Sequence, residues 1–155
     1  MVRKQGVKVL SLDPFNRFEH QIPNGQTETQ YISAVLDKFS NFALRNHCLV
    51  IITAHPRKMN KAIGQLKEPV PTLYDINGSA AFYNKCDFGL VVERDDVNKL
   101  VRIHVQKVKF KHLGEKGVAT YEYNTDNGRL APCEVDKHTQ RACNVERDNE
   151  EWWEK

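Results

Sequence analysis

Two short apolar runs in this chain of 155 residues each end on a side chain that can do chemistry. The run Val7 to Leu12 stops at Asp13-Pro14, and the run Cys48 to Ala54 stops at His55-Pro56. An apolar strand ending in Asp fixes a carboxylate at a sheet edge. There it can hold Mg²⁺, directly or through water, beside nucleotide phosphates. A histidine ending a neighbouring strand can touch a terminal phosphate and sense whether it is present. Taken alone, each residue is more simply read as an ordinary strand or turn cap. What singles them out is that function in parallel sheets gathers at the carboxyl ends of the strands, and both stand there.

Two sets of cations come next. The stretch 57–74 carries Arg57, Lys58, Lys61 and Lys67 among Gly64, Pro69 and Pro71, and it reads as a long loop. Such a loop can neutralise a nucleic-acid backbone, although a solvated loop accounts for it equally well. Lys107 and Lys109 lie on an alternating segment that puts both ammonium groups on one face, within reach of a phosphate in this subunit or a neighbour. Lysines that discourage edge-to-edge pairing are the plainer reading. Cys48 and Cys86 sit near apolar segments as small hydrophobes. Cys133, His138 and Cys143 resemble a metal clip but fit no zinc spacing, so a reduced, metal-free chain is expected.

The elements that must position these residues follow from periodicity. Val7–Leu12 predicts a buried strand stopped by proline. Thr27 is placed to cap a helix, with Gln30 as its box partner. Ile32, Val35, Leu36, Phe39, Phe42 and Ala43 then recur at threes and fours, which gives one apolar helix face ending near Asn46. The continuous run 48–54 suits a strand buried on both faces. A short helix over 77–85, a third apolar strand over 88–93, and a hairpin of 100–110 with 118–123 across Gly114 and Gly117 complete the order. The first three strands are expected to form a parallel sheet with crossover helices, and the hairpin an antiparallel edge. The overall expectation is α/β.

Composition is ordinary for a globular protein, with 40% hydrophobic and 28% charged residues. Neither a secretory signal nor a membrane-length apolar run is visible, so a cytoplasmic location is expected. The net charge of +3 divides unevenly: residues 1–130 carry +6 and residues 131–155 carry −3. A basic body with an acidic tail suits a polyanion-binding protein. The division expected is a domain over 1–130 and a flexible acidic tail over 131–155. In that tail, Glu150-Glu151-Trp152-Trp153-Glu154 could dock on a basic, apolar pocket of a partner protein.

Four segments, in register, resemble one family. Ser11-Leu12-Asp13-Pro14-Phe15-Asn16-Arg17-Phe18-Glu19-His20 resembles the Walker B segment of the DnaB/Twinkle-like replicative helicases of the primase-helicase type. Thr53-Ala54-His55-Pro56-Arg57-Lys58-Met59 resembles their histidine sensor motif. Pro71 to Ala80, followed by Tyr83-Asn84-Lys85, resembles their DNA-binding loop, and Val105 to Lys111 with Gly114 and Gly117 resembles their finger strand and hairpin.

The resemblance covers residues 7–130. It implies a RecA-like, mostly parallel sheet flanked by helices with a C-terminal antiparallel hairpin, the N-terminal phosphate-loop part being missing. It implies a homo-oligomeric ring, a hexamer, that hydrolyses ATP or another NTP with Mg²⁺ at subunit interfaces and translocates on single-stranded DNA. Asp13 would then help hold Mg²⁺ and His55 would sense the γ-phosphate. Asn77, Gly78 and Ala80 would contact the DNA backbone, while Lys107 and Lys109 would reach the next subunit's site.

Three departures accompany the match. The sequence contains no G-x-x-x-x-G-K-[ST], and the family's catalytic glutamate lies upstream of Walker B, so both are absent. This chain alone is therefore expected to be inactive and to hold no cofactor tightly. Lys109 stands where the family usually has an arginine finger, keeping the charge without the planar fork. Asn77 replaces a frequently basic residue, and its amide can still hydrogen-bond phosphate. Two other readings fit some of the same residues: a RecA-like plasmid replication ATPase or recombinase fragment, and a non-enzymatic module that binds DNA or a helicase.

Overall fold

The computed structural model describes residues 5–18, 21–59, 69–76 and 80–133. They fall into two compact units, Met1–Gly89 and Leu90–Lys155.

In the first unit, β1 (Val9–Leu12) and β2 (Leu49–Ile52) pair in parallel, with Leu12 opposite Ile52. Between them runs α1 (Glu28–Asn46), the crossover helix that a parallel pair requires. The expected capping box is present: the Gln30 amide N–H donates to Thr27 Oγ1 at 3.3 Å, and the Thr27 N–H donates to Gln30 Oε1 at 3.1 Å. The helix stops at His47, whose left-handed backbone lets the following N–H of Cys48 reach the Ala43 carbonyl.

One face of α1 supplies Ile32 and Leu36 to a core with Phe15, Ala81 and Phe82. Phe15 and Phe82 meet edge to face, their centroids 5.3 Å apart. Phe82 comes from α2 (Ala80–Lys85), and Lys85 at its end is tied to Asp37 of α1 at 2.7 Å. A 3-10 turn, Leu73–Asp75, precedes α2. Gly89 packs so closely on buried Leu73 that a Cβ there would lie 2.1 Å from Leu73 Cδ1. Only glycine allows that approach without the leucine side chain shifting.

The strand over 48–54 was expected to be buried on both faces, and in this structure it is not. Val9, Leu49 and Ile51 are 52%, 54% and 43% exposed, whereas Leu12 is buried and Ile52 packs against the core. The reason is that the core described for this unit covers a single face of the pair. A parallel sheet is normally covered on both.

The second expectation that needs correcting concerns β3 (Phe88–Asp95). It does not join β1 and β2; it is the edge of a four-stranded sheet ordered β3-β4-β5-β6. There β4 (Leu100–Val108) and β5 (Gly117–Tyr123) form the antiparallel hairpin that the alternating pattern predicts, with Ile103 opposite Ala119. A further strand, β6 (Leu130–Pro132), pairs with β5, and Cys133 beyond it is buried. The sheet therefore continues past residue 130, the limit expected for the folded body. Residues 134–155, including His138, Cys143 and the tryptophan pair, lie outside the described residues.

On β3 and β4 the polar side chains form one network. Glu93 accepts from Arg102 at 3.2 Å and contacts His104 Nε2 at 2.8 Å. Asp95, buried, accepts from the Asn98 N–H and side-chain amide and closes the β3–β4 turn.

Candidate nucleotide and nucleic-acid site

The parallel register of β1 and β2 brings their carboxyl ends side by side, and the pairing continues past the strands. The Thr53 N–H donates to the Leu12 carbonyl at 3.0 Å, and the Phe15 N–H donates to the Thr53 carbonyl at 2.8 Å across a cis Asp13–Pro14 bond. The Thr53 hydroxyl donates to Asp13 Oδ1. Two residues on, the His55 N–H donates to Asn16 Oδ1 at 3.1 Å. Asp13 and His55 are both exposed. The two strand-ending residues are thus drawn to one edge, each tied to the opposite segment. Thr53 and Asn16 make those ties, and no spacing argument singles them out. Both lie inside the two quoted motifs, which is the signal that could have found them.

The carboxylate of Asp13 keeps Oδ2 beside the bonded Oδ1. Among the described residues, no group of three or more His, Cys, Asp or Glu side chains could hold a metal ion. A lone exposed carboxylate fits Mg²⁺, which keeps several waters and takes its other ligands from substrate phosphates. The described residues around it do not supply an all-protein cage.

Beyond His55 the chain is pinned to the 3-10 turn. Pro56 and Ile76 form an isolated antiparallel bridge, and the Arg57 N–H donates to the Asp75 carbonyl at 2.7 Å. Arg57 Nη2 contacts Asp75 Oδ1 at 3.0 Å. The other oxygen of Asp75 accepts from the Thr72 N–H at 2.8 Å and from its hydroxyl at 2.7 Å. These Thr72 bonds, with Arg57 adding to them, hold the Asp75 carboxyl below the usual carboxylate range against the opposing effect of burial. Lys58 is exposed beside Arg57. Tyr74, in the same turn, stacks on Tyr83 of α2 with centroids 4.4 Å apart.

Of the other expected site residues, Ala80 opens α2. Lys61, Lys67, Asn77 and Gly78 lie outside the described residues. Lys107 lies on β4 in the second unit, and Lys109 follows that strand with its ammonium 5.1 Å from the centroid of the Phe110 ring.

A crossover βαβ unit with a carboxylate and a histidine at its carboxyl edge, joined in sequence to an antiparallel hairpin, matches part of a RecA-like α/β domain. The fold is shared with a solved DnaB-like replicative helicase, described with its interactions with primase: TM-score 0.65, 16% identity, covering 81% of this chain and 30% of that one. In sequence, the chain is 40% identical over 139 residues to a Twinkle homolog protein, chloroplastic/mitochondrial, from Arabidopsis thaliana. That match covers 86% of this chain and 19% of the relative. No family model matches. The chain belongs with the DnaB/Twinkle-like helicases and corresponds to a C-terminal part of the helicase. Among the described residues, no helix is long and apolar enough to cross a membrane.

Proposed function

We propose that this chain is a C-terminal segment of an ATP-dependent, ring-shaped replicative DNA helicase that translocates on single-stranded DNA. The chain spans about a fifth of the length of the curated relative it matches, so the whole protein's activity belongs to this proposal. The observation that carries it is the paired ending of β1 and β2, which sets Asp13 and His55 at one edge with Thr53 bonded to the carboxylate. In this reading Asp13 contributes a ligand to Mg²⁺, which neutralises charge on the nucleotide phosphates when bound. His55 reads the terminal phosphate. Arg57, Lys58, Lys61, Lys67, Asn77, Gly78 and Ala80 form the surface for the DNA backbone, and Lys107 and Lys109 serve the site of a neighbouring subunit in a hexamer.

The phosphate cradle and general base are not in this sequence, so the site is half a site. Catalysis by positioning and charge neutralisation needs both halves. The test uses the chain itself. It should bind single-stranded oligonucleotide with an affinity that falls steeply with salt. It should hydrolyse no ATP with or without Mg²⁺. Hydrolysis that Asp13→Ala abolishes would show the site to be complete, and absence of oligonucleotide binding would remove the nucleic-acid part of the reading.

A further inference from the structure

Arg57 was expected to be one basic residue among four in a loop, but the structure gives it a fixed place. Its backbone N–H is bonded to the Asp75 carbonyl and its guanidinium to the Asp75 carboxylate. The Asp75 side chain is 11% exposed and that of Arg57 is 70% exposed. Asp75 is itself anchored by two bonds from Thr72. Arg57, Lys58, Met59 and Asp75 line an open hollow of about 320 Å³.

We propose that Asp75 is a positioning residue for the sugar-phosphate backbone of single-stranded DNA: it holds the Arg57 guanidinium so that its outer edge meets a phosphate at this hollow. The inference rests on the nucleic-acid reading above. A guanidinium carries five N–H donors in a rigid fork, so one nitrogen can be held by a carboxylate while others face a phosphate. A free arginine loses several rotatable bonds on each binding event. One clamped by a buried carboxylate has already lost them. The low carboxyl pKa of Asp75 keeps the clamp charged through the neutral range.

The sign of the effect separates this from simple electrostatics. Removing a negative charge beside a polyanion site should tighten binding; removing a clamp should weaken it. Binding of a labelled oligo(dT) to this chain is measured across a salt series for wild type, Arg57→Ala, Asp75→Asn, the double variant and Thr72→Val. Arg57→Ala and Asp75→Asn should each weaken binding by about tenfold, the scale of one charge-assisted contact. Each should lower the salt slope by about one phosphate contact. The double variant should be no worse than either single one. Thr72→Val, which keeps the backbone bond to Asp75, should weaken binding in the same direction by less, with an unchanged circular dichroism spectrum. It decides the matter if Asp75→Asn does not fold. Wild-type binding with Asp75→Asn equal or tighter overturns the inference alone. No binding by wild type overturns the nucleic-acid reading and this inference with it.

Discussion

Two aspartates near the carboxyl edge of β1 and β2 have opposite environments. Asp13 is exposed and keeps an oxygen beside the one Thr53 holds, which suits a shared ligand. Asp75 is buried and bonded through both oxygens, which suits a structural anchor. Its carboxyl titrates below the ordinary range because of Thr72 first and Arg57 after it. A depressed folded-state pKa means that the ionised group stabilises the fold above the unfolded value. That stabilisation is lost as pH falls through the folded value. Asp75→Asn should therefore lower the urea midpoint at pH 7, and the gap to wild type should narrow as pH falls through the normal carboxylate range and below it. Parallel urea titrations at pH 7 and at pH about 2.5 check this; a gap that does not narrow at the acid pH would mean that the loss is one of shape, not of charge. The place of Asp13 and His55 beyond two strand ends was legible in sequence because an apolar run followed by a polar residue and proline marks a strand's end. The clamp on Arg57 was not, because its partner lies 18 residues on and is reached only through the Pro56–Ile76 bridge. Thr53 and Asn16 escaped for the same reason: a cross-strand tie depends on register, which one strand's pattern does not carry.

At the scale of elements, α1 was the most legible, since nineteen residues give periodicity and capping chemistry room to agree. Its start rests on the Thr27–Gln30 box, so Thr27→Ala should cost about 1 kcal/mol. The contact of α2 with α1 rests on Phe82, 8% exposed and edge-on to Phe15. Phe82→Ala should cost about 3–5 kcal/mol, because the cavity is added to the lost transfer energy. Urea denaturation followed by circular dichroism measures both, and the two losses should differ by severalfold; similar losses would mean that α2 contributes little to the core. The partner of β3 was beyond the sequence. A short apolar run reads alike in a parallel or an antiparallel sheet, and its length does not arbitrate. The structure shows a mixed strand: Glu93 and Asp95 join a polar network, while Leu90 and Val92 are 58% and 67% exposed. The three residues of β6 were too few to carry any period.

For the molecule as a whole, the outstanding physical fact is a row of apolar side chains in water. Val9, Leu49 and Ile51 are each about half exposed on one face of a parallel pair. Single exposed apolar residues need no explanation, but contiguous ones on a sheet face mark a surface that something covers. In the proposed reading the rest of the RecA-like domain covers it, since a parallel sheet takes helices on both faces. Among the described residues of this unit nothing covers that face, which leaves it open to a second copy of the chain. The consequence is measurable: the wild-type chain should self-associate with rising concentration in sedimentation velocity. Leu49→Thr with Ile51→Thr should suppress the association, because threonine keeps the preference for a strand while removing the apolar contact. Neither residue belongs to the described core, so the double substitution should move the unfolding free energy by no more than about 0.5 kcal/mol per site. A loss of several kcal/mol would show that the face is already packed in the isolated chain. A wild-type chain that stays monomeric at high micromolar concentration would show that its exposure carries no association energy, and would remove the argument that this face belongs against another layer.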